Sequence, residues 1–252
     1  MSPLNSKPEK NRKRSRPHIF AALGFLLAVL VIAFTLAVFT AFDSVTSRLS
    51  AGSLDIRLIE EKYDATPASE RDRIMPRKLT AKDPKIKNTD STDAFVFLEI
   101  SVPTALVTEA EEDGTRKGQR YQELFYLKTN NSVSDTSTSF NTTPQSAEDN
   151  GYWVELPSFE SGTDCRGDAR TYVFGYSVYL EPGESTETLF DYVMFKNLVR
   201  SDNAEGKVLG IRVEACGIQA DNLPDTLKDS LSGKLRQNEE TLSRIYSLVK
   251  RQ

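Results

Sequence analysis

Histidine is the side chain that decides most about chemistry here. The chain has one, His18, in a basic stretch ahead of a long apolar run. None follows it, so the body holds no His-based triad, no H-E-x-x-H zinc motif and no imidazole general base. Cys165 and Cys216 are the two cysteines. In an oxidising compartment they are a candidate disulfide closing a long loop, and two buried free thiols are the alternative. Glu109, Glu111, Glu112 and Asp113 supply oxygen ligands of the kind Ca²⁺ takes, without the spacing of an EF-hand loop; a solvated run of charge is the simpler reading. Arg166-Gly167-Asp168 spells an adhesion tripeptide, a three-letter match that chance often produces. There is no P-loop, no G-x-G-x-x-G and no legible carboxylate pair for glycoside chemistry. No catalytic, cofactor-binding or metal-binding residue is therefore assigned, and the chain reads as a non-enzyme without cofactors.

Composition narrows the classes further. The 252 residues carry a net charge of −4, with 38% hydrophobic and 27% charged side chains. That balance does not suit a basic nucleic-acid binder. Two cysteines exclude a disulfide-dense mini-scaffold. One long apolar run excludes a polytopic membrane protein.

That run defines the N-terminus. Lys7, Lys10, Arg12, Lys13, Arg14 and Arg16 face a single acid, Glu9, and residues 19–42 are uncharged. Twenty-four residues at ~1.5 Å each reach across a bilayer core of ~30 Å. The basic flank keeps the N-terminus in the cytoplasm and sends the rest outside. Thr35 and Ala37 place small residues at −3 and −1 for cleavage before Val38. Residues 1–37 are then a signal peptide. An uncleaved anchor reaching to about residue 42 is the alternative, favoured by the length of the apolar run. Removing a segment of charge +5 from a chain of −4 leaves −9, which repels anionic polymers and lipid head groups. Membrane contact is then confined to residues 19–42, and only if they stay uncleaved.

The body, residues 53–221, reads as antiparallel β. Leu54, Ile56 and Leu58 alternate with Asp55 and Arg57. Residues 60–93 are charged and turn-rich and read as a long loop or edge elaboration. Residues 94–102 (AFVFLEISV), 123–129, 152–156, 171–180, 189–198 and 208–219 read as strands. Residues 129–151 are Ser-, Thr- and Asn-rich and read as a loop. Glu181-Pro182-Gly183-Glu184 has the residues of a type II turn. Strands joined by turns, without intervening helices, predict a mainly β antiparallel sandwich. Residues 222–252 change character. Leu227, Leu231, Leu235, Leu242, Ile245 and Leu248 recur at helical spacing, with Asp225 as a candidate N-cap and Gly233 as a candidate break. This amphipathic helix either packs on the flank of the sandwich or serves a partner.

Four segments, in order, resemble the TasA/camelysin family of secreted bacterial proteins. The first is Thr35-Leu36-Ala37-Val38-Phe39-Thr40 with Ser50-Ala51-Gly52-Ser53-Leu54-Asp55-Ile56. The second is Lys87-Asn88-Thr89-Asp90-Ser91-Thr92-Asp93-Ala94-Phe95-Val96. The third is Tyr172-Val173-Phe174-Gly175-Tyr176, then Leu180-Glu181-Pro182-Gly183-Glu184-Ser185-Thr186 and Leu189-Phe190-Asp191. The fourth is Ala215-Cys216-Gly217-Ile218-Gln219-Ala220-Asp221. Three departures stand out, one of them the long basic stretch before the apolar run. Asp90 occupies the family's glycine position, where Asp tolerates a turn with φ > 0. Phe97 replaces the usual arginine.

The resemblance implies a jelly-roll sandwich, export with a dedicated signal peptidase, and a role as subunit or accessory of an extracellular biofilm matrix fibre. Metallopeptidase activity, attached to the camelysin name, is not carried over to a body without histidine. In some members an N-terminal strand of one subunit completes the sheet of the next. Here the donor would lie in the N-terminal segment 38–52, with Val38, Phe39, Phe42, Val45 and Leu49 as apolar contacts. An edge strand within the same chain, or a mere remnant of the signal, is the alternative. The partners implied are further copies of the chain or related matrix subunits, and no nucleic acid. A membrane-anchored surface binding module that does not polymerise is the second functional expectation.

Overall fold

The computed structural model describes residues 54–71, 75–111, 113–134, 136–143, 151–156, 168–201, 210–224, 227 and 237–251. The chain divides into two units, residues 1–40 and 41–252, and every described residue lies in the second. The proposed signal segment with Thr35, Ala37 and Val38, the donor contacts at Val38, Phe39, Phe42, Val45 and Leu49, and the candidate N-cap Asp225 lie outside the described residues. No helix among the described residues is long and apolar enough to cross a membrane.

The body is mainly β, with antiparallel pairing throughout. Eleven strands are described: β1 (Ile56–Ile59), β2 (Leu79–Ala81), β3 (Lys85–Asn88), β4 (Ala94–Glu109), β5 (Arg120–Glu123), β6 (Phe125–Lys128), β7 (Trp153–Glu155), β8 (Ala169–Tyr176), β9 (Tyr192–Phe195), β10 (Leu198–Ser201) and β11 (Arg212–Gln219). Among the described residues three short α-helices accompany them: α1 (Glu61–Ala65), α2 (Ala68–Arg71) and α3 (Glu239–Val249). β1 pairs with β3, and β9 lies between β2 and β6. The largest sheet is built around β4, which pairs with β8, β11, β5 and β10, while β7 extends it beyond β8. The inner faces of all three sheets meet in one core, through residues such as Ile56, Ile86, Leu98, Leu127, Phe174 and Val193.

β4 is 16 residues long and changes partners midway. Its first half runs beside β11 and β8; its second half pairs with β5 and β10. Pro103 sits at the change. β11 ends at the Arg212–Ser101 pair and β5 begins at the Glu123–Thr104 pair. The missing N–H therefore faces the gap between two neighbours, a position a strand proline tolerates. The Pro103 carbonyl still accepts from Leu124 N at 2.9 Å.

The unbroken apolar run at the start of β4 has a clear cause. Ala94, Val96, Leu98, Ile100 and Val102 face the shared core. Phe95 and Phe97 face the other way, into a second core with Val173, Cys216, Ile218 and the helix residues Leu242, Ile245, Tyr246 and Val249. A strand covered on both faces loses the period-2 alternation. The C-terminal helix thus lies on the outer face of the large sheet, in accord with the flank-packing expectation. It spans 11 residues and is capped by the Asn238 side chain, which accepts from Thr241 N at 2.9 Å.

Of the two expectations for residues 60–93, a long loop or an edge elaboration, the structure shows the second. They hold α1, α2, β2 and β3. These elements are too short to show periodicity, and they are fixed from outside. The Asp83 carboxylate accepts from Lys62 N at 2.9 Å and Tyr63 N at 3.2 Å at the start of α1. The expected strand over 189–198 is two shorter ones, β9 and the start of β10.

α3 can approach the sheet because β8 has a glycine beneath it. A Cβ on Gly175 would stand 3.0 Å from Phe97 Cε1 and 3.3 Å from Leu242 Cβ. Gly175→Val is expected to push Phe97 and the helix apart and to lower stability by about 1–3 kcal/mol, the usual cost of overpacking. Urea unfolding followed by circular dichroism measures this; an unchanged midpoint counts against close helix docking.

Candidate functional site

The segments singled out in the sequence converge on one structural node. Asn88, fully buried at the end of β3, anchors it. Its side-chain amide donates to the carbonyls of Thr92 at 2.8 Å and Leu180 at 2.9 Å, and its Oδ1 accepts from Asp90 N at 3.0 Å. Its backbone N donates to Glu184 O, and its carbonyl accepts from Gly183 N, both at 2.9 Å. Gly183 has φ +84°, and Glu184 N donates to Glu181 O at 3.0 Å. This is the turn expected from Pro182-Gly183, where a positive φ favours glycine.

Asp90 ties in the remaining segments. Its Oδ2 accepts from Asp55 N at 3.1 Å and Gln219 Nε2 at 3.2 Å, and its Oδ1 accepts from Ser91 N at 2.6 Å. Against a desolvation cost, the bonds from Ser91, Asp55 and Gln219 hold its carboxyl below the usual range. Among the described residues, Arg77 alone of the non-glycines has a positive φ. Asp90 contributes its carboxylate to the node, and the expected tolerance of positive φ is not used. One step inward, Ile86 N donates to Thr186 Oγ1 at 2.9 Å, and Ala220 N donates to Asp93 O at 2.8 Å. The node fixes where β1, β4 and β11 begin or end, and it consumes its own polar groups in doing so.

Other buried charges are likewise committed. Lys82 and Glu60 are both almost fully buried, with Nζ 2.9 Å from Oε1 and the ammonium 4.5 Å from the Tyr63 ring centroid. Burial pushes the Glu60 carboxyl up despite the attraction of Lys82. Asp191 accepts from Lys62 Nζ at 2.9 Å and from Asn130 N at 3.0 Å. In such pairs desolvation opposes the Coulomb gain, so they are weak evidence of net stabilisation.

The acidic cluster is resolved into protein contacts. Glu109 is buried and accepts from Tyr126 Oη at 2.5 Å, with Lys117 Nζ at 3.4 Å and Arg120 at 3.9 Å. Glu111 pairs with Lys117 at 2.8 Å, and Asp113 accepts from Thr115 N at 2.8 Å. Glu112 lies outside the described residues. Lys196 and Lys128 flank the Tyr126 ring at 4.3 and 5.1 Å. A shallow, open indentation passes over this cluster, lined by Arg77, Glu109, Tyr126 and Lys196 among others. Among the described residues, no three His, Cys, Asp or Glu side chains are arranged to hold a metal.

Cys216 is a buried free thiol on the outer face of the large sheet. Its Sγ donates to Glu99 Oε1 at 3.6 Å. Burial, followed by the Glu99 charge, pushes the thiol well above its ordinary range, so it is a poor nucleophile. Its candidate partner Cys165 lies outside the described residues, as do Arg166 and Gly167 of the tripeptide.

No family model matches the chain, and no curated protein or solved structure matches it.

Two tyrosine–carboxylate contacts, Tyr126–Glu109 and Tyr172–Glu123, were not legible in the sequence. Their partners lie 17 and 49 residues away. Desolvation, the carboxylate charge and the hydrogen bond it accepts push both phenols far above the ordinary tyrosine range. The native state therefore holds protons that the unfolded chain releases from about pH 10 upward. The resulting stability is fully present below pH ~10 and is lost as pH rises beyond it. Tyrosine absorbance at 295 nm is expected to show two phenols that ionise only on unfolding. Tyr126→Phe and Tyr172→Phe should each flatten the loss of stability with alkaline pH. A full complement of tyrosines titrating near pH 10 in the folded protein would contradict this.

Proposed function

We propose that this protein is an exported structural subunit or accessory of an extracellular bacterial matrix fibre, with a jelly-roll body and no chemistry of its own. The observation that carries the reading is the convergence at Asn88 and Asp90. Segments that resemble the TasA/camelysin family, and that lie up to 129 residues apart, meet through side-chain and backbone bonds. Residues that matter for holding an architecture behave this way; residues of an active site leave reactive groups pointing into a pocket.

On this reading, signal peptidase cuts after Ala37, and the released N-terminus donates residues 38–49 to the next subunit. Strand donation suits an antiparallel body, because an unpaired edge presents N–H and C=O groups that an added strand satisfies. The uncharged run of residues 19–42 favours a second reading, a cell-surface binding module held by an uncleaved anchor.

The two readings separate on the N-terminal residue of the protein recovered from producing cells. Material in the medium that begins at Val38 and forms filaments under the electron microscope is the expected result. Deletion of residues 38–49 is expected to leave soluble monomers. Intact chains found only in membranes favour the anchored module, and filaments that survive the deletion sink strand donation.

A further inference from the structure

Lys82 and Glu60 form the most deeply buried ion pair among the described residues, with side chains 2% and 3% exposed. Neither group has the partners that such depth calls for. The Lys82 ammonium has three donors; it hydrogen-bonds to Glu60 Oε2 at 3.0 Å and otherwise faces the Tyr63 ring, 4.5 Å from its centroid. Glu60 Oε1 lies 2.9 Å from the same Nζ and is buried without a hydrogen bond. Asp191 is better served, accepting from Lys62 Nζ, Asn130 N and Asn130 Nδ2. Glu60 also holds the N-cap position of α1, yet its side chain makes no capping bond; Asp83 accepts from the first N–H groups instead. The Glu60 carboxyl is thus left to Lys82 alone. A buried ion pair offsets its desolvation only when further hydrogen bonds satisfy its remaining donors and acceptors.

The geometry offers another resolution. With Nζ 2.9 and 3.0 Å from the two oxygens, the carboxyl carbon between them lies within the ~3.5 Å reach of a near-attack arrangement. Burial pushes the Glu60 carboxyl up toward its protonated form; Lys82 opposes this, and the charges of Asp64 and Asp83 add to it. In water, hydration of both charges holds a carboxylate and an ammonium apart from their amide, and burial removes that hydration. Transfer of one proton from Nζ to Oε1 gives amine and carboxylic acid. The Nζ lone pair then bonds to Cδ, a second Nζ proton passes to Oε1, and the Cδ–Oε1 bond breaks to release water. Nζ keeps one hydrogen, Oε2 becomes the amide oxygen, and nothing is oxidised or reduced. Three donors and an unsatisfied oxygen are replaced by one N–H and one C=O. An outside reagent would have to break the contact between the two groups; this step converts it.

We infer that Glu60 and Lys82 become joined by a side-chain amide, a self-modification that acts on no outside substrate and does not depend on the fibre reading. Glu60 follows β1 and Lys82 follows β2, so the bond ties the two-stranded sheet to the three-stranded one. The test measures the intact mass and the trypsin fragments of the full chain recovered from producing cells. The mass is expected to fall one water short of that calculated from its N-terminal residue. Fragments 58–62 and 79–85 are expected to be joined through Glu60 and Lys82, because trypsin does not cut after an acylated lysine. The same fragments carry a built-in control, Glu61 and Lys85, whose ion pair at 2.8 Å has an exposed carboxylate and is expected to stay unjoined. Lys82→Arg keeps a cation opposite Glu60 but removes the amine, and it is expected to restore the full mass. Separate fragments 58–62 and 79–82 from the unaltered folded chain overturn the amide and leave an ion pair. A junction at Glu61 and Lys85, or a loss of water that persists in K82R, overturns the assignment to the buried pair. Should K82R fail to fold, the fragment map of the unaltered chain decides alone.

Discussion

The structure depends on one strand being buried on both faces and bonded along both edges. β4 supplies the central ladder of the largest sheet, and its residues 94–102 alternate between two cores. Sixteen residues in one strand would expose a long row of donors and acceptors unless neighbours were present on each side. Four neighbours share that task, two on each half. The handover falls at the one residue without a donor, Pro103. Elsewhere in the ladder a proline would remove a bond; here the gap between β11 and β5 makes it cost little.

The second core explains a departure that the sequence showed without a reason. Phe97 stands where the resembling family carries arginine. In the structure it is fully buried against α3, with its ring centroid 5.3 Å from that of Tyr246. An arginine there would bury a charge under the helix, which is costly unless it is paired. Phe97, the glycine at 175 and the C-terminal helix pack as one unit, with the ring and the helix meeting over the position where β8 has no side chain. Lys250 closes the arrangement at its rim, 2.6 Å from Glu99.

Much of the β architecture was legible, because apolar runs such as AFVFLEISV and the Pro182-Gly183 turn act locally. What was not legible depends on distance. The helix pattern was visible through Leu242 and Ile245, but Tyr246 and Val249, which complete the i, i+3, i+4, i+7 stripe, show their role only against the sheet. α1 has five residues and no capping side chain of its own; Asp83, some 20 residues on, supplies the acceptor. Asn88 and Asp90 were visible as letters of a motif. Their bonds to Leu180 and Gln219 cross 92 and 129 residues, which no local period encodes.

The distribution of polar groups bears on what such a body can do. Glu60, Glu109, Asp191 and Lys82 are buried, and each is held by a charged or hydrogen-bonding neighbour. Groups so engaged are poor acids, bases or nucleophiles, because reaction would first break contacts that offset their desolvation. The backbone is different. A sheet edge keeps its hydrogen-bonding capacity without any special side chain, and it is available only because a strand must end its sheet somewhere. Histidine is absent after residue 18, and these buried carboxylates are engaged within the body. The energetics then differ from those of a catalytic site. Each added residue contributes a modest net hydrogen bond and some apolar burial, so strength accumulates with strand length.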